Sequence, residues 1–318
     1  MFWLRGIQKN IGSQRRLLSV SAPVPPGLNL KNERLRRSVF YVPCSEPRKV
    51  AKSIGCAADC VIYDLEDGVS MNRKEEARSS LLSALSQNQT RERGVRINSI
   101  SSGMAQADLE VALKSERLDV LMVPKVQTAN DLHWVLETMD NPKVRIIAAI
   151  ETALGICNIR EIAQVPQVDS LLFAAEDYCA DTGIIRTEGR RELYYARSVV
   201  STTAHAFGLQ AIDMVTMDFR NPSILQEESQ EAVEMGFTGK QLIHPLQIDL
   251  VNGLFAPQPQ VVERAAEIVC GYREHYQRGK GAFDLNGKAI DMPVVKWAYR
   301  VLQRAELAGI DVTDKLNP

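Results

Sequence analysis

Apolar runs alternate with amphipathic stretches from Ser38 onward, regularly enough to assign elements. The runs Ser38–Pro43, Cys60–Glu66, Gly94–Asn98, Val120–Val126, Val144–Thr152, Asp169–Asp177, Ala211–Val215 and Thr238–Pro245 predict strands. Short runs of this kind have the character of parallel strands covered on both faces. Between and after them, Pro47–Ile54, Arg73–Ser86, Ala105–Lys114, Ala129–Glu137, Leu154–Ala163, Gly189–Ala206, Ile224–Met235 and Leu246–Leu254 predict helices. Repeated strand–helix units of this number fit a closed (β/α)8 TIM barrel better than a doubly wound open sheet, which commonly has fewer strands. No Gly-x-Gly-x-x-Gly follows any of the strands, so the usual sign of a dinucleotide site is missing.

The barrel, over residues 33–256, is complete before the chain ends. After the prolines at 257 and 259, Val261–Arg278 predicts a helix, 279–287 a polar glycine-containing connector, and Met292–Leu307 a last amphipathic helix. Residues 257–318 thus read as a helical extension that packs on the barrel or on a neighbouring subunit. At the other end, residues 1–32 hold Arg5, Lys9, Arg15, Arg16 and Lys31, with no acid before Glu33. Phe2, Trp3, Leu4, Ile7 and Ile11 would share one side of a helix there, and Ser-Val-Ser-Ala-Pro-Val-Pro-Pro follows. An acid-free amphipathic start of this type is the composition of a removable mitochondrial presequence, which places the mature chain in the matrix. A merely disordered basic tail is the alternative.

Composition narrows the partners. The 318 residues are 45% hydrophobic and 24% charged, ordinary for a globular protein, and the net charge of −1 gives no reason to expect nucleic acid or an anionic membrane. No apolar run approaches the roughly 20 residues of a membrane span. The six cysteines are scattered, and Cys56 and Cys60 lack a second pair to complete a zinc site, so they read as free thiols in a reducing compartment.

In a barrel, chemistry sits on the C-terminal tips of the strands. Two tips stand out: Glu151 closes the run Val144–Ile150, and Asp177 closes the run Val168–Ala175. Two carboxylates without a cysteine or histidine partner suit a hard cation that keeps water and substrate in its shell, which is the pattern of Mg²⁺. Such a cation chelates a hydroxy or keto acid, and Arg96 on the third strand can clamp the acid's carboxylate with its planar fork. Asp64, Glu66 and Asp67 are either part of this site or a helix-capping cluster, and Lys125 either serves it or pairs with one of those acids as scaffold. His244 is either a pocket residue or a hydrogen-bonded core histidine. Arg48, Lys49 and Lys52 follow the first strand, where they either hold the phosphates of a long anionic ligand or form a solvated helix face.

These residues, taken together, resemble a known family. The segments Arg37-Ser38-Val39-Phe40-Tyr41-Val42-Pro43, Asp64-Leu65-Glu66-Asp67-Gly68-Val69 and Arg96-Ile97-Asn98 carry part of the likeness. Pro124-Lys125-Val126, Ile150-Glu151-Thr152-Ala153, Ala175-Glu176-Asp177-Tyr178 and Gly239-Lys240-Gln241-Leu242-Ile243-His244-Pro245 complete it. In order and spacing they are similar to the citrate lyase β-subunit-like family of CoA-dependent lyases. The tail segment Gly287-Lys288-Ala289-Ile290-Asp291-Met292-Pro293 extends the likeness to animal members of that family.

The resemblance implies a TIM barrel, Mg²⁺ as cofactor, a homotrimer, and an acyl-CoA thioester as substrate. The implied reaction is retro-Claisen cleavage of (3S)-citramalyl-CoA to acetyl-CoA and pyruvate, with malate synthase, methylmalate synthase and malyl-CoA thioesterase side activities. By motif, Glu151 and Asp177 become the metal ligands, and Arg96 binds the keto-acid end. Tyr41, Arg48 and Lys52 contact the CoA thioester, Ile243 and His244 line the substrate pocket, and Asp291 is the acid/base. Cys44 and Ala174 depart from the family's glycines, which would crowd the CoA loop and narrow the metal site. The rival readings are a pyruvate-specific class II aldolase that uses no CoA and a non-catalytic matrix partner protein.

Overall fold

The computed structural model describes residues 24–26, 28, 34–139, 141–277 and 282–316. The basic block over 1–32 therefore lies outside the described residues, apart from 24–26 and 28. The chain divides into two units, Arg36–Phe255 and a second containing the residues on either side of it.

The first unit is a closed barrel of parallel strands in sequence order, β1 to β8, with β1 also paired to β8. The strands are β1 Ser38–Pro43, β2 Cys60–Asp64, β3 Glu92–Arg96, β4 Val120–Val123, β5 Arg145–Ile150, β6 Val168–Phe173, β7 Gln210–Asp213 and β8 Gly239–Leu242. Side-chain alternation sorts each strand into two layers. Cys60 and Ile62 on β2 join Val39, Val120, Met122, Ile147, Ala149, Leu172 and Ile212 in an inner cluster. Val61 and Tyr63, between them, belong to the larger outer cluster that includes helix residues such as Leu81, Leu109 and Val200. With both faces covered, the strands need no polar alternation, which is why they read as continuous apolar runs.

The N-terminal end of the barrel is filled by a buried guanidinium. Arg36, just ahead of β1, donates to Glu92 Oε1 at 2.8 Å, Asp169 Oδ2 at 3.0 Å and Ser170 Oγ at 2.5 Å. It thereby ties β1 to the starts of β3 and β6. A Cβ on Gly239 would come within 1.7 Å of the Arg36 carbonyl oxygen, so only glycine lets β8 approach there.

Strand starts fall within two residues of expectation, β1 matches at both ends, and the other strands end earlier than expected. The run assigned to 169–177 stops at Phe173, and Ala175–Thr182 is a helix. Asp177 thus stands in the first turn of a helix, not on a strand tip. The stretch 154–163 is two short helices, Ala153–Cys157 and Ile159–Ala163. The helix expected from Gly189 begins at Tyr194, after a left-handed Arg190 with φ of 52°.

In the second unit, helices Pro259–Gln277 and Met292–Leu307 share a core of Val262, Ala266, Val269, Tyr272, Val295 and Tyr299. The expected connector is instead a β-hairpin, β9 Phe283–Leu285 and β10 Lys288–Ile290. Its turn is Asn286-Gly287, both at positive φ (54° and 76°), the geometry that a two-residue hairpin requires. Phe283 stacks on His275 at 4.7 Å between ring centres, which seats the hairpin on its helix. Asp291 caps Met292–Leu307, its Oδ1 accepting from the Val294 N–H at 3.3 Å.

Candidate active site

The polar side chains at the C-terminal end of the barrel are organised around Arg96, at the end of β3. Its guanidinium grips Asp64 at the end of β2 in a two-pronged pair, Nε to Oδ1 and Nη2 to Oδ2, both 2.7 Å. Nη1 lies 3.0 Å from Glu66 Oε2, out of line for a hydrogen bond but close enough for an ion pair. The same Asp64 carboxylate accepts from the Glu66 and Gly68 N–H groups, each at 2.9 Å. Burial alone would raise the Asp64 carboxyl, but Arg96 and those two N–H groups hold it below the ordinary range. A Cβ on Gly68 would lie 2.4 Å from Asp64 Oδ2, so this close approach requires glycine. Asp64 is therefore not a helix cap; it anchors its own loop and Arg96.

Tyr41 is the platform beneath the arginine, whose central carbon lies 4.7 Å from the ring centre. The phenol points to Gln241 Oε1 at 2.9 Å and Met122 Sδ at 3.0 Å, and Gln241 in turn donates to the carbonyls of Phe173 and Asp213. Burial pushes the phenol well above its usual range and keeps it neutral. Lys74, whose role sequence did not suggest, is a buried cation that donates to the Leu65 and Glu66 carbonyls and to Asn98 Oδ1 at 2.6–2.8 Å. It fixes the Asp64–Gly68 loop from behind.

Facing this cluster are Glu151, after β5, and Asp177. Glu151 is buried, and its Oε2 has no hydrogen-bond partner. Burial, with Asp177 and Glu66 adding negative charge nearby, pushes its carboxyl up to about 8. A buried carboxyl oxygen without a partner is costly unless something else fills its lone pairs. Asp177 is approached by Lys125 Nζ at 3.4 Å, and the same ammonium holds Glu66 Oε1 at 2.8 Å and Asp67 Oδ2 at 3.2 Å. Lys125 has φ of 51°, a left-handed conformation that costs a non-glycine residue about 1–2 kcal/mol.

Among the described residues no three His, Cys, Asp or Glu side chains converge as a ready-made cage. A two-carboxylate site still fits Mg²⁺, which retains waters and takes few protein ligands. The orphaned Glu151 oxygen beside Asp177 is the feature that fits such an ion.

A cavity of about 900 Å³ opens at this end of the barrel, lined among others by Tyr41, Asp64, Arg96, Ala174, Asp177 and Gln241, with Glu151 buried outside that lining. Ile243 and His244 line it too. His244 is half-buried at the cavity wall and hydrogen-bonded locally, not a core residue. It accepts from the Leu246 N–H at its Nδ1, which leaves the proton on Nε2, and it stacks on Phe219 at 4.4 Å. Lys49 and Lys52 reach the cavity wall, whereas Arg48 stands exposed on the same helix outside that lining. Cys44 is fully buried within the outer core and does not crowd the cavity. Glu176 is occupied by an ion pair with Arg186, and Asp213 by Arg197, so neither is a spare ligand. Asp291 belongs to the second unit, as the helix cap already described.

Barrel, clamped arginine and clustered acids give this chain the build of an α/β-barrel enzyme. The chain belongs to the HpcH/HpaI aldolase/citrate lyase family, whose pattern matches residues 37–245. A second pattern, that of C–C bond lyases of the TIM-barrel fold, matches residues 199–310. Citramalyl-CoA lyase, mitochondrial, of Mus musculus is 39% identical over 309 residues, covering 90% of this chain and 91% of that protein. A (3S)-malyl-CoA thioesterase of Cereibacter sphaeroides is 33% identical over 85% of this chain and 94% of that protein. The crystal structure of CitE from Mycobacterium tuberculosis, in complex with magnesium, acetoacetate and coenzyme A, superposes with a TM-score of 0.72 at 30% identity. It covers 86% of this chain and 99% of that one.

Proposed function

We propose that this chain is a Mg²⁺-dependent carbon–carbon lyase that cleaves (3S)-citramalyl-CoA to acetyl-CoA and pyruvate. The observation that carries the reading is the buried Glu151 carboxyl, whose Oε2 has no hydrogen-bond partner, near Asp177 and near a guanidinium already fixed by Asp64. Glu151 and Asp177 would hold the ion, which supplies Lewis-acid polarisation of the hydroxy-acid oxygen. Arg96 presents positive charge to the substrate carboxylate, and Tyr41 and Asp64 keep it from reorienting. A cavity of about 900 Å³ admits an acyl-pantetheine arm as well as a small acid. Lys52, with Lys49 in place of the expected Arg48, gives the cavity edge positive charge for CoA phosphates. In the cleavage the hydroxyl loses its proton, the bond between the carbinol carbon and the thioester's α-carbon breaks, and that α-carbon gains a proton. Asp291 is the proposed donor of this last proton, contributed within a homotrimer by an adjoining subunit.

The likeness to the mouse protein supports a mitochondrial location, and the acid-free N-terminal block supports a cleaved presequence and the matrix. The malyl-CoA thioesterase relative supports a secondary hydrolytic activity, and condensation of acetyl-CoA with glyoxylate or pyruvate is the reverse of the same chemistry. The direct test is turnover of citramalyl-CoA, malyl-CoA and methylated relatives with Mg²⁺ present. Citramalyl-CoA is expected to give the highest kcat/KM, and free citramalate none. Cleavage of the free acid would instead establish a CoA-independent aldolase. For Asp291→Asn the expected result is loss of at least about 100-fold in kcat, as for removal of a general acid, with acetyl-CoA binding kept. Wild-type turnover in that variant would leave Asp291 as a helix cap and nothing more.

A further inference from the structure

We infer that Lys125 is a tethered counter-cation that offsets the negative charge of the metal-free site and competes with the divalent ion for Asp177. The inference rests on the metal reading of Glu151 and Asp177 given above. Lys125 follows β4, and it reaches acids from the loop after β2 and from the helix after β6. Its contacts are graded: 2.8 Å to Glu66, 3.2 Å to Asp67 and 3.4 Å to Asp177. The ammonium is therefore anchored on Glu66 and only loosely held by Asp177, the end at which a metal would displace it.

The backbone supports a dedicated placement. Lys125 adopts a left-handed φ of 51°, and the next residue is pinned by a hydrogen bond from Val126 N to the Ala149 carbonyl. Strain held in place by neighbouring pairing commonly marks a functional position. Without the ammonium, Glu66, Asp67 and Asp177 would stand together with too little positive charge. With it, an arriving dication meets a like charge within a few ångströms and must take one of its partners. A mere scaffold ion pair makes the opposite demand, since its removal would let Asp177 drift and weaken metal binding.

Calorimetric titration of MgCl₂ into the metal-stripped full-length protein separates the two. Lys125→Met is expected to bind Mg²⁺ at least about 10-fold tighter than wild type, because a nearby positive charge has been removed. Its melting temperature without metal is expected to fall by several degrees, as three acids lose their shared cation. Lys125→Arg, which keeps the charge, is expected to stay within about threefold of wild type. Should the Met variant not fold, Lys125→Asn removes the charge with a residue that tolerates left-handed backbone. Unchanged or weaker Mg²⁺ affinity in a folded, charge-removed variant overturns the inference. A wild-type protein that takes up no Mg²⁺ at millimolar concentration overturns the metal reading beneath it as well.

Discussion

Glu151→Gln is expected to lose magnesium-dependent turnover, with kcat/KM down by at least about 10³-fold, equivalent to roughly 4 kcal/mol of transition-state stabilisation. The amide keeps the size of the side chain but offers no anionic oxygen. The same substitution is expected to change stability in a way that no generic defect would copy. In the metal-free protein the Glu151 carboxyl is pushed by burial from 4.5 to about 8. A raised acid stays protonated in the fold while it ionises in the unfolded chain. The native state therefore binds more protons between those values, and stability falls as pH rises from about 4.5 through about 8, by up to roughly 1.4 kcal/mol per unit. The glutamine variant lacks that slope. Melting temperatures in EDTA across pH 5 to 9 would check it; parallel profiles for the two proteins would mean Glu151 is ionised and already paired.

Arg96→Lys is the second large effect. Lysine keeps the charge but cannot make the two parallel bonds to Asp64 while presenting a further N–H group to a substrate. We expect kcat/KM to fall by about 10²-fold or more, the size of one lost preorganised donor in an active site. Arg96→Met should fail differently, leaving Asp64 buried without its cation at a cost of about 3–5 kcal/mol. The pair of variants thus distinguishes charge from geometry. If Arg96→Lys kept activity within threefold of wild type, the fork would matter only for holding Asp64.

The barrel was legible because its strands are covered on both faces, so each appears in the sequence as an apolar run with a polar end. The end was the unreliable part. Ala174 and Ala175 continue the apolar run of β6 while the backbone has already turned into a helix, and this carried the expected strand past Asp177. The hairpin at 283–290 has strands of three residues, too short for alternation to register. Its Asn286-Gly287 turn was nonetheless a readable signal. Glu151 and Arg96 were legible as charged groups closing buried strands, whereas Asp177 was legible only as the acid after an apolar run whose end is already helical. Pairing of Lys125 with an acid after β2 was among the readings, but no linear pattern carried its reach to Asp177, Lys74 behind the loop, or the displacement of Arg48 by Lys49 at the cavity wall. These depend on which way a helix turns or a long side chain folds back.

The packed interior of the barrel, with Ile62, Met122, Ile147 and Leu172 fully buried and Arg36 bonded at its N-terminal end, makes the cavity at the C-terminal mouth a blind cup. Everything that enters leaves by the same opening. On the proposed reading the keto acid sits deepest, against Arg96, and the coenzyme lies above it as a stopper. Acetyl-CoA must then depart before pyruvate can, and the reverse reaction must load its small partner first. On that reading the order of traffic follows from the packed interior beneath the cavity, which leaves no second way out.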